Sequence, residues 1–340
     1  MLRSLAALYI VFFFSTASAQ GVADSSHLRP SRLLPIAFVG AGCLVEALSI
    51  NFDDPVLYLG TGHFLQQEWL NGTAFLATEL GLREFQRELT TRIDLADYSR
   101  FPNLSNNSIY QRGGMSPSSF AVSKYADIAT LSLFNLRLID FFASYRTLHN
   151  KSTYTSKVPL SQEGLLSLSA SPFKLRYLIK PWVWGPVLLA GAAAYLGGNG
   201  NKSISNSNEI VLFDQPQSPT QATISYNVLQ AYRYATVAAG EEMFFRGALQ
   251  TELTENFSPA FALVTSSLLF GLWHIPHNGF SGGVAATVGG FLLGYRYQRS
   301  NYDLGEVIAL HFWLDWIVSA VEFFANPRSS QFVYRISWMP

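Results

Sequence analysis

The chain has 340 residues, 49% of them hydrophobic and only 14% charged, with a formal net charge of zero. A charged share this far below the roughly 25% of soluble globular proteins argues against an ordinary water-solvated enzyme and for a chain partly dissolved in lipid. No basic surplus advertises a nucleic-acid partner, and Cys43, the single cysteine, excludes an internal disulfide or a cysteine zinc cluster.

Mean hydropathy is only +0.17, so polar stretches must dilute the apolar ones. Arg3, the apolar run Leu5 to Phe14 and the small-residue pattern Ala17-Ser18-Ala19 make residues 1–19 a secretory signal peptide, with an uncleaved anchor as the other reading. Such a start suits a bacterial inner (plasma) membrane. Residues 20–173 form a partly membrane-associated region of unknown role. Leu33 to Ile50 is an apolar stretch interrupted by Pro35, glycines and Glu46, and Tyr58 to Leu82 is a weak candidate for a short membrane hairpin. Leu89 to Ser119, with Pro102 and Gly113-Gly114, reads as a loop. Phe120 to Leu148 has a helical pattern made amphipathic by Lys124, Asp127, Arg137 and Asp140, and whether it spans or lies on the surface is open. Asn71, Asn103, Asn106, Asn150 and Asn201 match the loose N-x-Ser/Thr pattern and are read as accidental.

From Lys174 the pattern sharpens. Lys174, Arg176 and Lys180 precede Pro181 to Gly198, an apolar stretch of spanning length that the positive-inside rule runs from cytoplasm outward. After a Gly/Asn/Ser-rich loop, Gly197 to Asn208, come the apolar helices Ala222 to Leu253, Ser258 to Trp273, Gly282 to Tyr297 and Leu304 to Ala325. Alternating topology returns Arg296 and Arg299 to the cytoplasm, in agreement with the first basic cluster. Residues 174–326 form the transmembrane domain and 327–340 a tail. The expected fold class is all-α: a polytopic transmembrane helix bundle with an intramembrane catalytic site, its last five apolar helices forming the catalytic core.

Three ionisable clusters interrupt these helices. A charge near the bilayer centre costs at least about 2.5–3.5 kcal/mol, so each is a functional hypothesis by default. In Glu241-Glu242-Met243-Phe244-Phe245-Arg246, a spacing of four lets Glu242 reach Arg246, while Glu241 points about 100° away and is left to act as a base. The second cluster is Phe270-Gly271-Leu272-Trp273-His274, and beyond Pro276 His277 reads as a loop residue rather than a ligand. In the third, His311 and Asp315 share one helical face. Two histidines and a carboxylate from three helices offer metal ligands, or a set that orients a water and holds an oxyanion. Taken singly, each residue is as readily a satisfied packing group; three clusters on consecutive apolar helices point jointly to function.

The three motifs resemble those of the CPBP (CAAX protease and bacteriocin-processing) family: E-E-x-x-x-R, F-x-x-x-H, and H-x-x-x-N or H-x-x-x-D, in that order on separate helices. The resemblance covers about 174–325. It implies an intramembrane endopeptidase in which Glu241 activates a water, His274 shares that water, and His311 and Asp315 stabilise the oxyanion. Glu242, Arg246 and Phe270 support the site. The implied scheme needs no cofactor; if a divalent metal such as zinc is used, Glu241, His274 and His311 are its ligands. Asp315 stands where the prenyl-processing members carry asparagine, and an ionised aspartate donates no hydrogen bond; it must then be protonated or orient His311. A peptide or membrane-protein substrate in the bilayer is therefore expected rather than a prenylated tail. The alternatives are a transporter or proton-relay protein built on the same buried charges, or a non-catalytic immunity or scaffold protein; oligomeric state is left open.

Overall fold

A computed structural model describes residues 63–64, 68–91, 109–151, 156–197 and 203–338. The expected signal segment and the stretch Leu33 to Ile50 lie outside them. The described chain is mostly helical, 79%, as expected. In chain order it forms α1 (Trp69–Thr91), β1 (Ile109–Gln111), α2 (Pro117–Lys151), α3 (Leu165–Ser169), α4 (Leu175–Leu178) and α5 (Pro181–Gly197). Then come β2 (Ser207–Leu212), β3 (Gln215–Gln217), α6 (Pro219–Glu242), a π-helical segment Met243–Gln250, α7 (Thr251–Asn256), α8 (Pro259–Arg299), α9 (Leu304–Ala325) and β4 (Val333–Trp338). Among the described residues two helical runs, α8 and α9, are long and apolar enough to cross a membrane.

The described residues divide into two compact units, the first drawn from 63–80, 134–169 and 239–308, the second from 81–133, 170–238 and 309–338. In the first, α8 is two arms. Ser258 caps its start by accepting the Phe261 N–H at 3.2 Å, and Gly279, at φ 70° and ψ −179°, breaks it. The chain reverses there: the Gln298 amide donates to the Pro259 carbonyl at 2.7 Å, and the position of a Cβ on Gly271 falls among Thr287 and the Gly283 carbonyl. Only glycine holds such a φ without steric cost. The two helices expected around the Gly-rich stretch are thus present, but the stretch between them is helical up to the break. His277, expected in a loop, is an exposed helical residue two positions before Gly279.

Also in this unit, the phenylalanines of the π segment build a core. Phe244, Phe245, Leu249 and Leu253 bury against Leu138, Ala262 and Phe270. Two of the charges expected on Phe120 to Leu148 are met inside the protein: Arg137 Nη2 donates to Glu79 Oε1 at 3.1 Å, and Asp140 Oδ1 lies 3.3 Å from His63 Nε2; Lys124 instead pairs with the exposed Asp127. Nor is 58–82 a hairpin in its described part, since residues 69–91 form one helix.

Glu255, in α7 and outside the membrane-crossing segments, ties down residues 156–158. Its carboxylate accepts the backbone N–H groups of Lys157 at 3.0 Å and Val158 at 2.9 Å, and the Ser156 hydroxyl. Burial alone raises its pKa, but these three donors outweigh it and hold the pKa below the usual 4.5. Because the folded value is the lower one, the tether contributes fully above the unfolded pKa and is lost as pH falls through the folded one. Acidification through that lowered pKa is therefore expected to expose the 156–158 segment to limited proteolysis, and Glu255→Gln to expose it already at neutral pH, with a stability loss of about 1–3 kcal/mol.

The second unit contains the main departure from an all-α expectation, an antiparallel four-stranded sheet in the order β1-β4-β2-β3. Ile210 and Leu212 of β2 and Val333 and Ile336 of β4 bury their apolar faces with Phe213 and Phe332, and Arg112 fastens the edge by donating to the carbonyls of Val333 (2.8 Å) and Ser330 (2.7 Å). Strands of 3–6 residues are too short to show a period of two in the sequence. In the same unit α6 meets α9 through polar contacts: the Tyr226 hydroxyl lies 2.8 Å from Ser319 Oγ, and Trp316 Nε1 donates to the Asn227 carbonyl at 3.0 Å.

Candidate active site

The first unit gathers five of the expected residues. Glu241 and Glu242 end α6 where the helix widens into the π segment, all eight residues of which are buried. The widened turn is closed by Thr251, whose backbone N–H and hydroxyl both reach the Arg246 carbonyl, the hydroxyl at 2.9 Å. Single π-helical insertions of this kind recur at functional sites because they re-aim side chains without ending the helix.

Arg246 is fully buried, and three different groups meet it. Nη1 donates to Glu242 Oε1 at 2.8 Å, Nη2 donates to the Gly290 carbonyl at 2.9 Å, and the guanidinium lies 4.6 Å from the centre of the Phe270 ring. The i, i+4 geometry expected for Glu242 and Arg246 is therefore present, and this carboxylate is committed to an ion pair.

Glu241 faces elsewhere, with Oε2 3.8 Å from His274 Nε2. The other ring nitrogen of His274, Nδ1, lies 2.7 Å from the Phe270 carbonyl. A carbonyl only accepts, so Nδ1 carries the proton, and in the neutral ring Nε2 turns its lone pair toward Glu241. Phe270 thus has two jobs: its ring covers Arg246, and its backbone carbonyl sets the His274 tautomer. The four-residue spacing of F-x-x-x-H is what puts the imidazole over that carbonyl.

In the second unit His311, buried, has Nε2 3.3 Å from Asp315 Oδ2. A carboxylate beside a ring nitrogen fixes the imidazole's orientation and tautomer. Of the two roles left open for Asp315, orientation of His311 is the one this contact supports.

Gln250 was not singled out from the sequence. One turn beyond Arg246 and fully buried, it donates from Nε2 to the Gly294 carbonyl at 3.0 Å and accepts from Ser266 Oγ at 3.2 Å. Arg246 and Gln250 therefore grip two carbonyls four residues apart on the second arm of α8. The signal for this was the small-x-x-x-small pair Gly290 and Gly294, which admits close helix approach. A Cβ at position 294 would lie 2.7 Å from Gln250 Oε1 and 2.8 Å from Leu263 Cδ1. Gly294→Ala is expected to cost about 1–3 kcal/mol by overpacking, read as a lowered thermal midpoint in detergent. Adding Gln250→Ala should recover part of that loss, because it removes one of the two obstructions.

Among the described residues no three His, Cys, Asp or Glu side chains gather at metal-binding spacing. Glu241 and His274 present two donors, short of the three protein ligands typical of a catalytic zinc.

A buried glutamate–arginine pair thus sits beside a glutamate–histidine couple, an arrangement able to polarise a water. Residues 225–317 match the family model described as type II CAAX prenyl endopeptidase Rce1-like, and the match spans all three motifs from Glu241 to Asp315. Over this part of the chain the match supports the CAAX-protease family that the motifs indicated. No curated protein and no solved structure is significantly similar to the chain.

Proposed function

We propose that the chain is an intramembrane endopeptidase that hydrolyses a peptide bond with a glutamate-activated water. The observation that carries this reading is the Glu241–His274 couple. At 3.8 Å, Oε2 and Nε2 are too far apart for a direct hydrogen bond and suitably spaced for one water to donate to both at ordinary distances of about 2.8 Å. Such a water is polarised from two sides. Glu241 takes its proton as the oxygen attacks the carbonyl carbon, and returns that proton to the departing amine, so that hydrolysis consumes only the water. His274, held in one tautomer by Phe270, positions the water. The family resemblance assigns oxyanion stabilisation to His311, and the Asp315 contact supports its orientation for that role.

The protein is multi-pass in this reading. Each arm of α8 has about 20 residues, about 30 Å of helix, and α5 with its 17 residues adds about 25 Å. The substrate is a membrane-embedded peptide or protein segment, since Asp315 departs from the asparagine of the prenyl-processing members. The test compares peptide termini in membranes from cells carrying wild-type or Glu241→Gln protein at matched abundance. Termini present only with the wild type support a peptidase and name its substrate. Identical termini with a phenotype that persists in the variant sink the enzyme reading in favour of a scaffold; a phenotype lost without lost cleavage favours ion or solute transport.

A further inference from the structure

We propose that residues 171–182 form an interfacial shelf that docks on anionic phospholipid headgroups of the leaflet from which α5 enters the bilayer. The shelf belongs to the second unit and does not depend on the peptidase reading. It consists of a short 3-10 turn (Ser171–Phe173), α4 and the start of α5. Its outward side chains are large and apolar: Phe173 is 58% exposed, Leu175 72%, Ile179 70% and Trp182 60%. Interspersed with them are Lys174, Arg176 and Lys180. From Gly164 to Asn208 the chain carries no acidic residue at all. Apolar side chains that reach the acyl boundary, alternating with cations at headgroup level, are the pattern of a helix lying in the membrane interface.

The shelf is built to hold its shape. Tyr177 is buried beneath it, with Arg176 4.6 Å and Lys180 5.3 Å from the centre of its ring, so one ring positions two cations. Two tryptophans staple the turn to flanking helices through backbone carbonyls: Trp184 Nε1 donates to Leu178 O at 2.6 Å, and Trp313 Nε1 to Pro172 O at 2.9 Å. The two indoles lie 5.1 Å apart. Tryptophans with an apolar body and a bonded N–H gather at the headgroup level of spanning proteins. Cations on a preformed apolar shelf match phosphodiester charge; a zwitterionic headgroup repels as much as it attracts. Charge complementarity therefore selects the anionic lipid.

The test uses purified full-length protein in bilayers containing brominated phosphatidylglycerol or brominated phosphatidylcholine, with quenching of tryptophan fluorescence giving the relative binding constant. Each cation near an anionic surface is worth roughly fivefold, so three set a ceiling of about a hundredfold. The wild type is expected to prefer the anionic lipid by at least about fivefold at low salt, and to lose most of that preference in 1 M salt, where the Debye length falls to about 3 Å. The triple variant Lys174→Gln, Arg176→Gln, Lys180→Gln should bind the two lipids alike. The charge-conserving exchange Lys174→Arg, Arg176→Lys, Lys180→Arg should keep the preference. Arg176→Gln alone, at an exposed side chain, reports the same loss in part if the triple variant cannot be recovered folded. A wild type without preference, or neutralised variants that retain it in full, overturns the proposal.

Discussion

Replacing Glu241 with glutamine is expected to lower turnover about 10²–10⁴-fold while leaving the amount of folded protein unchanged. The contrast follows from what each glutamate touches. Glu242 is paired with Arg246 at 2.8 Å, whereas Glu241 faces His274 across 3.8 Å. The glutamine keeps the shape and one hydrogen-bonding oxygen but cannot take a proton from water. Arg246 keeps Glu242, the Gly290 carbonyl and the Phe270 ring when the charge of Glu241 is removed. Single-turnover cleavage of whatever substrate the terminal profiles identify is the measurement. A rate within threefold of wild type would remove Glu241 from the chemistry.

The second large effect is on folding. Arg246→Ala should destabilise the protein by about 3–5 kcal/mol, since it leaves the Glu242 carboxylate buried without its guanidinium and opens space beside Phe270. Glu242→Gln should cost a similar amount by stranding the arginine. The double variant Glu242→Leu with Arg246→Met removes both charges and keeps apolar volume, so it should be more stable than either single charge deletion. Recovery of folded protein after a graded heat challenge, followed by size exclusion, orders the four proteins. If the double variant were the least stable, the ion pair would be a net stabiliser rather than a mutually satisfied cost. The two experiments together separate a residue that reacts from a pair that holds its helix in place.

Much of this arrangement was legible before any coordinates. Helical geometry is local, so the reach of Glu242 to Arg246, the shared face of His311 and Asp315, and the divergence of Glu241 follow from spacing alone. The breaking of 258–297 into two arms was readable from its glycines. The reversal is sharper than a loop, however, because Gly279 turns the chain in a single residue and leaves His277 helical. Lys124, Asp127, Arg137 and Asp140 made Phe120 to Leu148 look amphipathic, leaving open whether it spans or lies on the surface. Arg137 and Asp140 instead find Glu79 and His63, partners whose identity no helical period reveals. The sheet was invisible for the same reason: β4 pairs with β2 more than 100 residues earlier, and neither strand is long enough to announce itself.

By itself, then, the amino-acid order determined that this protein carries charge inside apolar helices, which carboxylate its arginine claims, and to which family those motifs belong. Those features are set within one or two turns of a single helix. The tertiary structure alone decided that Arg246 and Gln250 hold the carbonyls of Gly290 and Gly294, and that Glu241 confronts His274 across the width of a water. It also decided that three separate stretches of polar loop and tail close into a sheet. Each of these joins groups tens to hundreds of residues apart, and such contacts form only where packing brings distant backbone within hydrogen-bonding range.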